Sequence, residues 1–220
     1  QATISAMSDL LNKLQSEDLI PYVRKLEFQL ELVNAAVLQR VKEVFPRLEE
    51  LSSKHSKITD DAWDHIPDTI IKLSIQSFFR TSNQDSTRMI LNNNNREILN
   101  KLKHLTRLQT LVFSPPDTLV DMDLMNLPTN LRSLDLSSMY GTNITDQGLA
   151  AIVGRLQQLQ SLNLSGAATI TGSQFHHLPP SLKTICLDYC SKVTKEARDT
   201  LAARGIKVEI LIRPRQVVLK

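Results

Sequence analysis

Apolar residues recur along the chain in short segments with one internal spacing. Five segments read apolar-x-x-apolar-x-apolar, and they lie at 70–75, 108–113, 131–136, 159–164 and 182–187. Their sequences are IIKLSI, LQTLVF, LRSLDL, LQSLNL and LKTICL. The last three positions of each segment, apolar-x-apolar, have the period-two spacing of a half-buried strand. The pattern predicts a strand in every segment, with its apolar side chains on one face.

The segments also return at nearly constant intervals. The starts at 108, 131, 159 and 182 are separated by 23, 28 and 23 residues. Periods of roughly 20 to 29 residues with this pattern are typical of leucine-rich repeats. One such unit cannot bury its apolar face alone, whereas stacked units bury a continuous ladder of leucines. We therefore predict parallel strands that start near Leu48, Ile70, Leu108, Leu131, Leu159, Leu182 and Gly205.

The segments between the strands carry helix signals. Thr59, Thr145, Thr171 and Thr194 stand where a helix N-cap belongs, and helix-forming residues follow them. Thr171 and Gln174 have the spacing of a capping box, and Gly205 suits a helix C-terminus. The sequence thus predicts an α/β leucine-rich-repeat solenoid. We expect it to be right-handed, with parallel strands on the concave face and helices on the convex face.

One group of repeats can be compared with a known family. "LKTICLDYCSKVTKEA" (182–197) resembles the cysteine-containing leucine-rich repeats of F-box adaptor proteins. Cys190 stands at the ladder position where that family places Cys or Asn, and Ala167 stands there in "LQSLNLSGAATIT". "LRSLDLSSMYGTNIT" departs from the family pattern by a two-residue insertion.

A second style of repeat overlaps the first. "IPDTIIKL", "LPTNLRSL" and "LPPSLKTI" resemble the Leu-Pro phrases of leucine-rich-repeat effectors from bacterial pathogens. The mixture of both styles is similar to the effector repertoires of intracellular bacteria such as Legionella. The resemblance covers residues 47–212, and it implies a protein-binding module that acts in a host cytoplasm.

The ends and one insertion fall outside the repeat pattern. Residues 1–46 are predicted to form a helical N-terminal cap, because apolar residues recur there at steps of three and four. A degenerate F-box-like region is the alternative, which would make the chain a substrate-recognition adaptor of a ubiquitin ligase. The repeat domain, 47–212, has about seven turns with an insertion at 76–107, and 213–220 is a tail. In the insertion, Asn95 is a candidate cap for a helix. Its apolar positions would be Ile98, Leu99, Leu102 and Leu105.

The two cysteines raise the question of thiol chemistry. On a strand, residues four apart lie roughly 13 Å apart, so Cys186 and Cys190 are not expected to form a disulfide. Cys190 is predicted to be a small buried ladder residue. Cys186 lies between the inward Ile185 and Leu187, so we expect it on the concave surface. Its "CLD" motif mimics the nucleophile of a ubiquitin-ligase domain, but no such helical domain accompanies it. We assign no catalytic residue.

Composition and charge narrow the function further. The 220 residues carry 26 Lys and Arg against 23 Asp and Glu, a net charge of +3, which does not suggest a nucleic-acid binder. No apolar segment reaches the roughly 18 residues of a membrane span. The sequence has no phosphate loop, nucleophile elbow or metal-ligand spacing, so no enzyme, cofactor, metal or small-molecule substrate is expected. Two free thiols suit the cytoplasm, including that of a host cell after secretion.

The expected function is therefore binding to a protein through the concave face and its rim. Positions between the ladder leucines point outward, and the loops at 114–118 and 138–143 border them. The chain could also be the substrate-binding fragment of a larger ligase. Charged, amide and aromatic side chains at these places are the candidate contacts. They are Arg132, Asp135, Met139, Tyr140, Asn163, Lys183, Asp188 and Tyr189.

Overall fold

The structure is a computed structural model that describes residues 18–28, 32–54, 57–76, 95–113, 119–137 and 143–209. Ten strands occur in this part of the chain. They are β1 (Lys25–Phe28), β2 (Leu32–Val33), β3 (Glu50–Lys54), β4 (Lys57–Ile58), β5 (Lys72–Gln76), β6 (Thr110–Phe113), β7 (Ser133–Asp135), β8 (Ser161–Asn163), β9 (Thr184–Cys186) and β10 (Lys207–Glu209). Eight of them form one parallel sheet in the order β1-β3-β5-β6-β7-β8-β9-β10, and β2 pairs with β4.

Helical elements lie between successive strands of the large sheet. The α-helices are α1 (Ala35–Val44), α2 (Asn95–Lys101), α3 (Asp121–Leu124), α4 (Asp146–Val153) and α5 (Lys195–Ala203). Short 3-10 helices occur at Ile20–Tyr22, Asp60–His65, Leu102–His104 and Phe175–His177. One apolar cluster joins the inner face of the sheet to these helices. Consequently the helices cover one face of the sheet, and among the described residues no helix covers the other face, which we call the open face.

The ladder of apolar residues runs through the centre of this core. Leu134, Leu162 and Ile185 are register partners on β7, β8 and β9, and each is at most 1% exposed. All seven predicted strands occur, and each lies about two residues after the start of its apolar segment. The predicted α/β architecture is confirmed. The chain folds as a leucine-rich-repeat solenoid.

The threonine caps are confirmed at two of the four positions. The Thr145 hydroxyl accepts from the Gln147 N–H at 3.2 Å, and the Thr194 hydroxyl accepts from the Ala197 N–H at 3.1 Å. Thr59 begins a 3-10 helix without a side-chain cap. The capping box of Thr171 is wrong, because Gly172 turns the chain at φ +89° and no α-helix follows. The Thr171 hydroxyl accepts from the Ser173 N–H at 3.3 Å and donates to Asp146.

The helical prediction for 1–46 is wrong for residues 25–28. They form β1, in which Leu26 pairs with Leu51 of β3, so a repeat unit begins before residue 47. Val23, Leu26 and Phe28 have the same apolar-x-x-apolar-x-apolar spacing as the later strands. Pairing with β3 provides the backbone hydrogen bonds that a helix would otherwise supply. The predicted helical face is retained in α1, where Val37, Leu38 and Val41 are buried. Residues 1–17 lie outside the described residues.

The insertion contains the helix that its apolar spacing predicted. Helix α2 begins at Asn95, and Ile98, Leu99, Leu102 and Leu105 are all buried in the core. The polar segment at 77–94 lies outside the described residues. No helix in the described part of the chain is long and apolar enough to cross a membrane.

Candidate protein-binding face

Two of the predicted contact residues lie in one line at the edge where the chain enters the strands. The Arg132 carbonyl accepts from the Gln160 N–H at 2.7 Å, and the Gln160 carbonyl accepts from the Lys183 N–H at 2.8 Å. Arg132 and Lys183 are therefore two strands apart, with Gln160 between them. Both are exposed, and neither side chain has a hydrogen bond or an ion pair within the described residues.

A row of hydroxyl side chains crosses the open face next to this edge. Thr110, Ser133, Ser161 and Thr184 are successive register partners on β6 to β9. All four are partly buried, and in the described part of the chain none of their hydroxyls has a hydrogen-bond partner. We call these four residues the hydroxyl row. It offers four hydroxyl donors and acceptors that no other described residue uses.

Two other predicted contacts are engaged by the backbone. Asp135 and Asn163 are register partners, and each lies two residues after the hydroxyl-row residue of its own strand. The Asp135 carboxylate accepts from the Ser137 N–H at 2.8 Å, and the Asn163 amide oxygen accepts from the Ser165 N–H at 3.0 Å. Such bonds from a side chain to the backbone two residues later form a local turn, which fixes the chain at the end of the strand. Part of the hydrogen-bonding capacity of both side chains is therefore used within the fold.

The expected exposure of Cys186 is wrong. Its side chain is 3% exposed, and its Sγ lies 3.2 Å from the Oγ of Ser165, which is also buried. Strand alternation is kept, because Cys186 does not belong to the apolar core cluster, whereas Ile185 and Leu187 do. Its register partners are the longer Asn163 and Glu209. Cys186 is therefore buried in contact with Ser165 although its position on the strand is an outward one.

Cys190 is the buried ladder residue that its position predicted. It is 3% exposed, belongs to the core cluster, and donates to the Leu164 carbonyl with an Sγ–O distance of 3.2 Å. Burial raises the pKa of the Cys190 thiol, while contacts with the backbone at Ala167 and Gly166 oppose that rise. Both cysteines are free thiols, and neither is at the protein surface.

The remaining predicted contacts lie beyond the strands. Tyr189 follows β9 in a turn with φ +60° and is 66% exposed, and Asp188 beside it is partly buried. Met139, Tyr140 and the loop at 114–118 lie outside the described residues. The structure therefore groups Arg132 with Lys183 and Asp135 with Asn163, and it places Tyr189 past the strand ends.

Charged residues at the start of the sheet were missed from the sequence. The Glu50 carboxylate lies 3.9 Å from the Lys25 ammonium and 3.9 Å from the Lys72 ammonium, across β1, β3 and β5. Arg24 and Glu49 form a neighbouring pair at 4.0 Å. All are substantially exposed, so each pair contributes little stability. The apolar spacing of Val23, Leu26 and Phe28 is the sequence signal that would have placed Lys25 on a first strand of the sheet.

Metal chemistry gains no candidate from the fold. His176 and His177 end a 3-10 helix with ring centroids 3.9 Å apart, and both are exposed. Within the described ranges, no three His, Cys, Asp or Glu side chains are grouped closely enough to hold a metal ion.

Comparisons with known proteins give likenesses of fold at low identity. No family model matches the chain, and no curated protein sequence matches it significantly. Among solved structures, the leucine-rich-repeat protein LegL7 from Legionella pneumophila is similar, with 13% identity and a TM-score of 0.45; the match covers 90% of this chain and 77% of LegL7. The yeast Rad7–Elc1 complex gives 13% identity, a TM-score of 0.39, and coverage of 90% and 67%. A Bacteroides fragilis protein is also similar, with 14% identity and a TM-score of 0.39, and the match covers 92% of this chain and 69% of that protein.

Proposed function

We propose that the chain is a non-enzymatic module that binds a protein partner across the open, concave face of its sheet. The observation that carries this proposal is the hydroxyl row, whose four side chains have no hydrogen-bond partner within the described residues. Arg132 and Lys183 border it with charged side chains that have no ion pair in the part of the chain that the structure describes. Small side chains let a partner approach the backbone closely, and the charged edge supplies specificity.

The rim beside the strand ends belongs to the same proposed surface. Tyr189 is an exposed aromatic side chain, of a kind that interfaces favour. Met139 and Tyr140 are proposed as further contacts from the loop at 138–143, on their sequence positions alone. Asp135, Asn163 and Asp188 complete the proposed surface at the ends of the strands.

The adaptor alternative has less structural support than the sequence suggested, because the helix at 35–44 buries its apolar face. An F-box-like region would need an apolar helix face in 1–46 that is available to a ligase scaffold. The apolar face of α1 is buried in the core through Val37, Leu38 and Val41. A substrate-binding fragment of a larger ligase would use the same concave face, so it differs from the main proposal only in what the bound partner undergoes.

The cellular setting is a separate part of the proposal. The Leu-Pro phrases that begin at Ile66, Leu127 and Leu178 resemble those of bacterial effectors, which favours secretion into a host cytoplasm. Fusion of the chain to an enzymatic reporter of host-cell entry tests this part independently of binding. If the reporter stayed inside the bacteria, this setting would be rejected, and the binding proposal would be unaffected.

A steric block tests the binding face directly. Ser161→Trp places a large side chain in the centre of the hydroxyl row, and Ala202→Trp places the same side chain on the exposed surface of α5. Each variant is compared with the unmodified chain for capture of partners from cytosol, and its melting temperature is measured in parallel. The proposal expects Ser161→Trp alone to lose the captured partner. If Ala202→Trp lost it and Ser161→Trp kept it, the helical face would be the binding surface.

A further inference from the structure

On β7 to β10, cationic side chains and carboxylates lie at different positions along the strands. Arg132, Lys183 and Lys207 lie towards the edge where the chain enters the strands, and we call them the basic track. Backbone hydrogen bonds connect them in order, since the Lys207 N–H donates to the Lys183 carbonyl at 2.8 Å. At the spacing of neighbouring strands, Arg132 and Lys183 are roughly 10 Å apart. All three are exposed and lack an ion pair within the described residues.

Within the described ranges, no carboxylate forms an ion pair with this track. Asp135 follows Arg132 by three residues and Glu209 follows Lys207 by two, which is roughly 10 Å and 6.6 Å towards the other edge. The Asp135 carboxylate is also held by the Ser137 N–H. At the start of the sheet, by contrast, Glu50 already lies between Lys25 and Lys72. Arg132, Lys183 and Lys207, which have no ion pair within the described residues, therefore lie together at the edge where the chain enters β7, β9 and β10.

The hydroxyl row lies beside the track and extends in the same direction. Ser133, Ser161 and Thr184 continue into Lys207 as register partners. A chain that crosses the strands along this line meets hydroxyl groups on one side and cations on the other. Hydroxyls can donate to or accept from its backbone, and the cations can pair with its carboxylates.

We infer that this face takes an acidic, extended segment of the protein partner, laid across β7 to β10 with its carboxylates on Arg132, Lys183 and Lys207. This inference rests on the proposed function and gives it a chemical class of ligand. A single-stranded nucleic acid fits less well, because base stacking needs aromatic platforms. The described outward positions of β6 to β10 carry none, and Tyr189 lies past the strand end.

Binding of a defined probe tests the inference. The probe is a fluorescein-labelled peptide of alternating Glu and Ser, long enough to cross four strands, and anisotropy reports its binding to the intact chain at low salt. The matched probes are a Lys and Ser peptide and an oligouridine. We expect the acidic peptide alone to bind well, with an affinity that falls as salt is added.

Charge reversal locates the site. Arg132→Glu with Lys183→Glu is expected to weaken binding of the acidic peptide at least about tenfold. Lys195→Glu with Arg198→Glu, on the exposed surface of α5, makes the same change in net charge and is expected to alter it less than about twofold. Equal losses from both pairs, equal binding of both peptides, or tighter binding of oligouridine would overturn the inference. If Ser161→Trp still abolished capture of the partner in that event, the binding face would stand and only its acidic ligand would be rejected.

Discussion

The Thr171 hydroxyl and the Thr171 N–H both donate to one carboxylate oxygen of Asp146, at 2.6 and 3.0 Å. The other oxygen of Asp146 accepts from the Gly172 N–H at 2.8 Å. One repeat earlier, the Asp121 carboxylate accepts from the Thr145 hydroxyl at 2.6 Å and from the Thr145 N–H at 2.7 Å. A carboxylate at the start of one helical segment thus fastens the start of the next. The next repeat has Gly172 at the equivalent position, and glycine has no carboxylate to continue this series of contacts.

Removal of the Asp146 carboxylate should loosen the junction between two repeats. Hydrogen bonds to charged groups contribute about 1.5–3 kcal/mol each when they are buried, and these are partly buried. We expect Asp146→Ala to lower the free energy of unfolding by about 2 kcal/mol in urea denaturation. Asp199→Ala, an exposed site on α5, is the control and should change it by less than about 0.5 kcal/mol. Equal effects would mean that the contact does not fasten the repeats.

Two glycines of the same helical segment should respond oppositely to alanine. Added to Gly148, a Cβ would stand 2.1 Å from the Asp121 carboxylate, whereas at Gly154 the nearest atom would be 3.9 Å away. Gly154 also has an ordinary helical φ of −64°. Thermal melts should therefore show Gly148→Ala destabilised by about 1–3 kcal/mol. Gly154→Ala should be neutral or up to about 1 kcal/mol more stable. Gain of stability in both variants would contradict the close approach of α3 and α4.

Truncation within the leucine ladder tests the register of the core. Leu162 is 1% exposed between Leu134 and Ile185, so Leu162→Ala should cost about 2–5 kcal/mol of unfolding free energy. Val112→Ala, at a partly exposed position on the open face of β6, should cost less than about 1 kcal/mol. Chemical denaturation measures both. A reversed order of the two costs would show that the inner and outer faces are misassigned.

Both thiols should resist modification in the folded protein. We expect neither Cys186 nor Cys190 to react with a maleimide until the chain is unfolded, because each is 3% exposed. Burial raises the pKa of Cys190, so above the ordinary thiol pKa of about 8.5 the unfolded chain loses a proton that the folded chain keeps. Stability from this group is present below that pH and is lost as the pH rises towards the folded pKa. Rapid labelling of one native thiol at neutral pH, seen by mass spectrometry, would place that cysteine at the surface.

The ladder was predictable because its signal is redundant. A strand such as β8 has the same spacing as its neighbours, and an error at one position is corrected by the others. At Val23, Leu26 and Phe28 the same spacing was present but overlapped a helical pattern in the residues that follow. The strand at β1 forms rather than a helix because it pairs with β3, which lies about 25 residues later in the sequence.

The binding face was less predictable than the ladder. The repeat frame predicted that Arg132 and Lys183 are exposed beside the strands, and both are exposed in the structure. The frame did not reveal that Asp135 would hold the Ser137 N–H or that Cys186 would be covered by Ser165. Those properties depend on turn geometry and on the sizes of neighbours in adjacent strands. The sequence pattern does not specify either of these.

Site-specific photo-cross-linking tests the proposed binding face most directly. A benzophenone side chain replaces Ser161 in the hydroxyl row or Ala202 on α5, and each variant is irradiated in cytosol under identical conditions. The account predicts a discrete cross-linked protein from position 161, lost when Arg132→Glu and Lys183→Glu are added, and none from position 202. A cross-link from 202 alone would contradict the binding face, whereas a cross-link from 161 that persisted unchanged after both charges were reversed would reject only the acidic ligand.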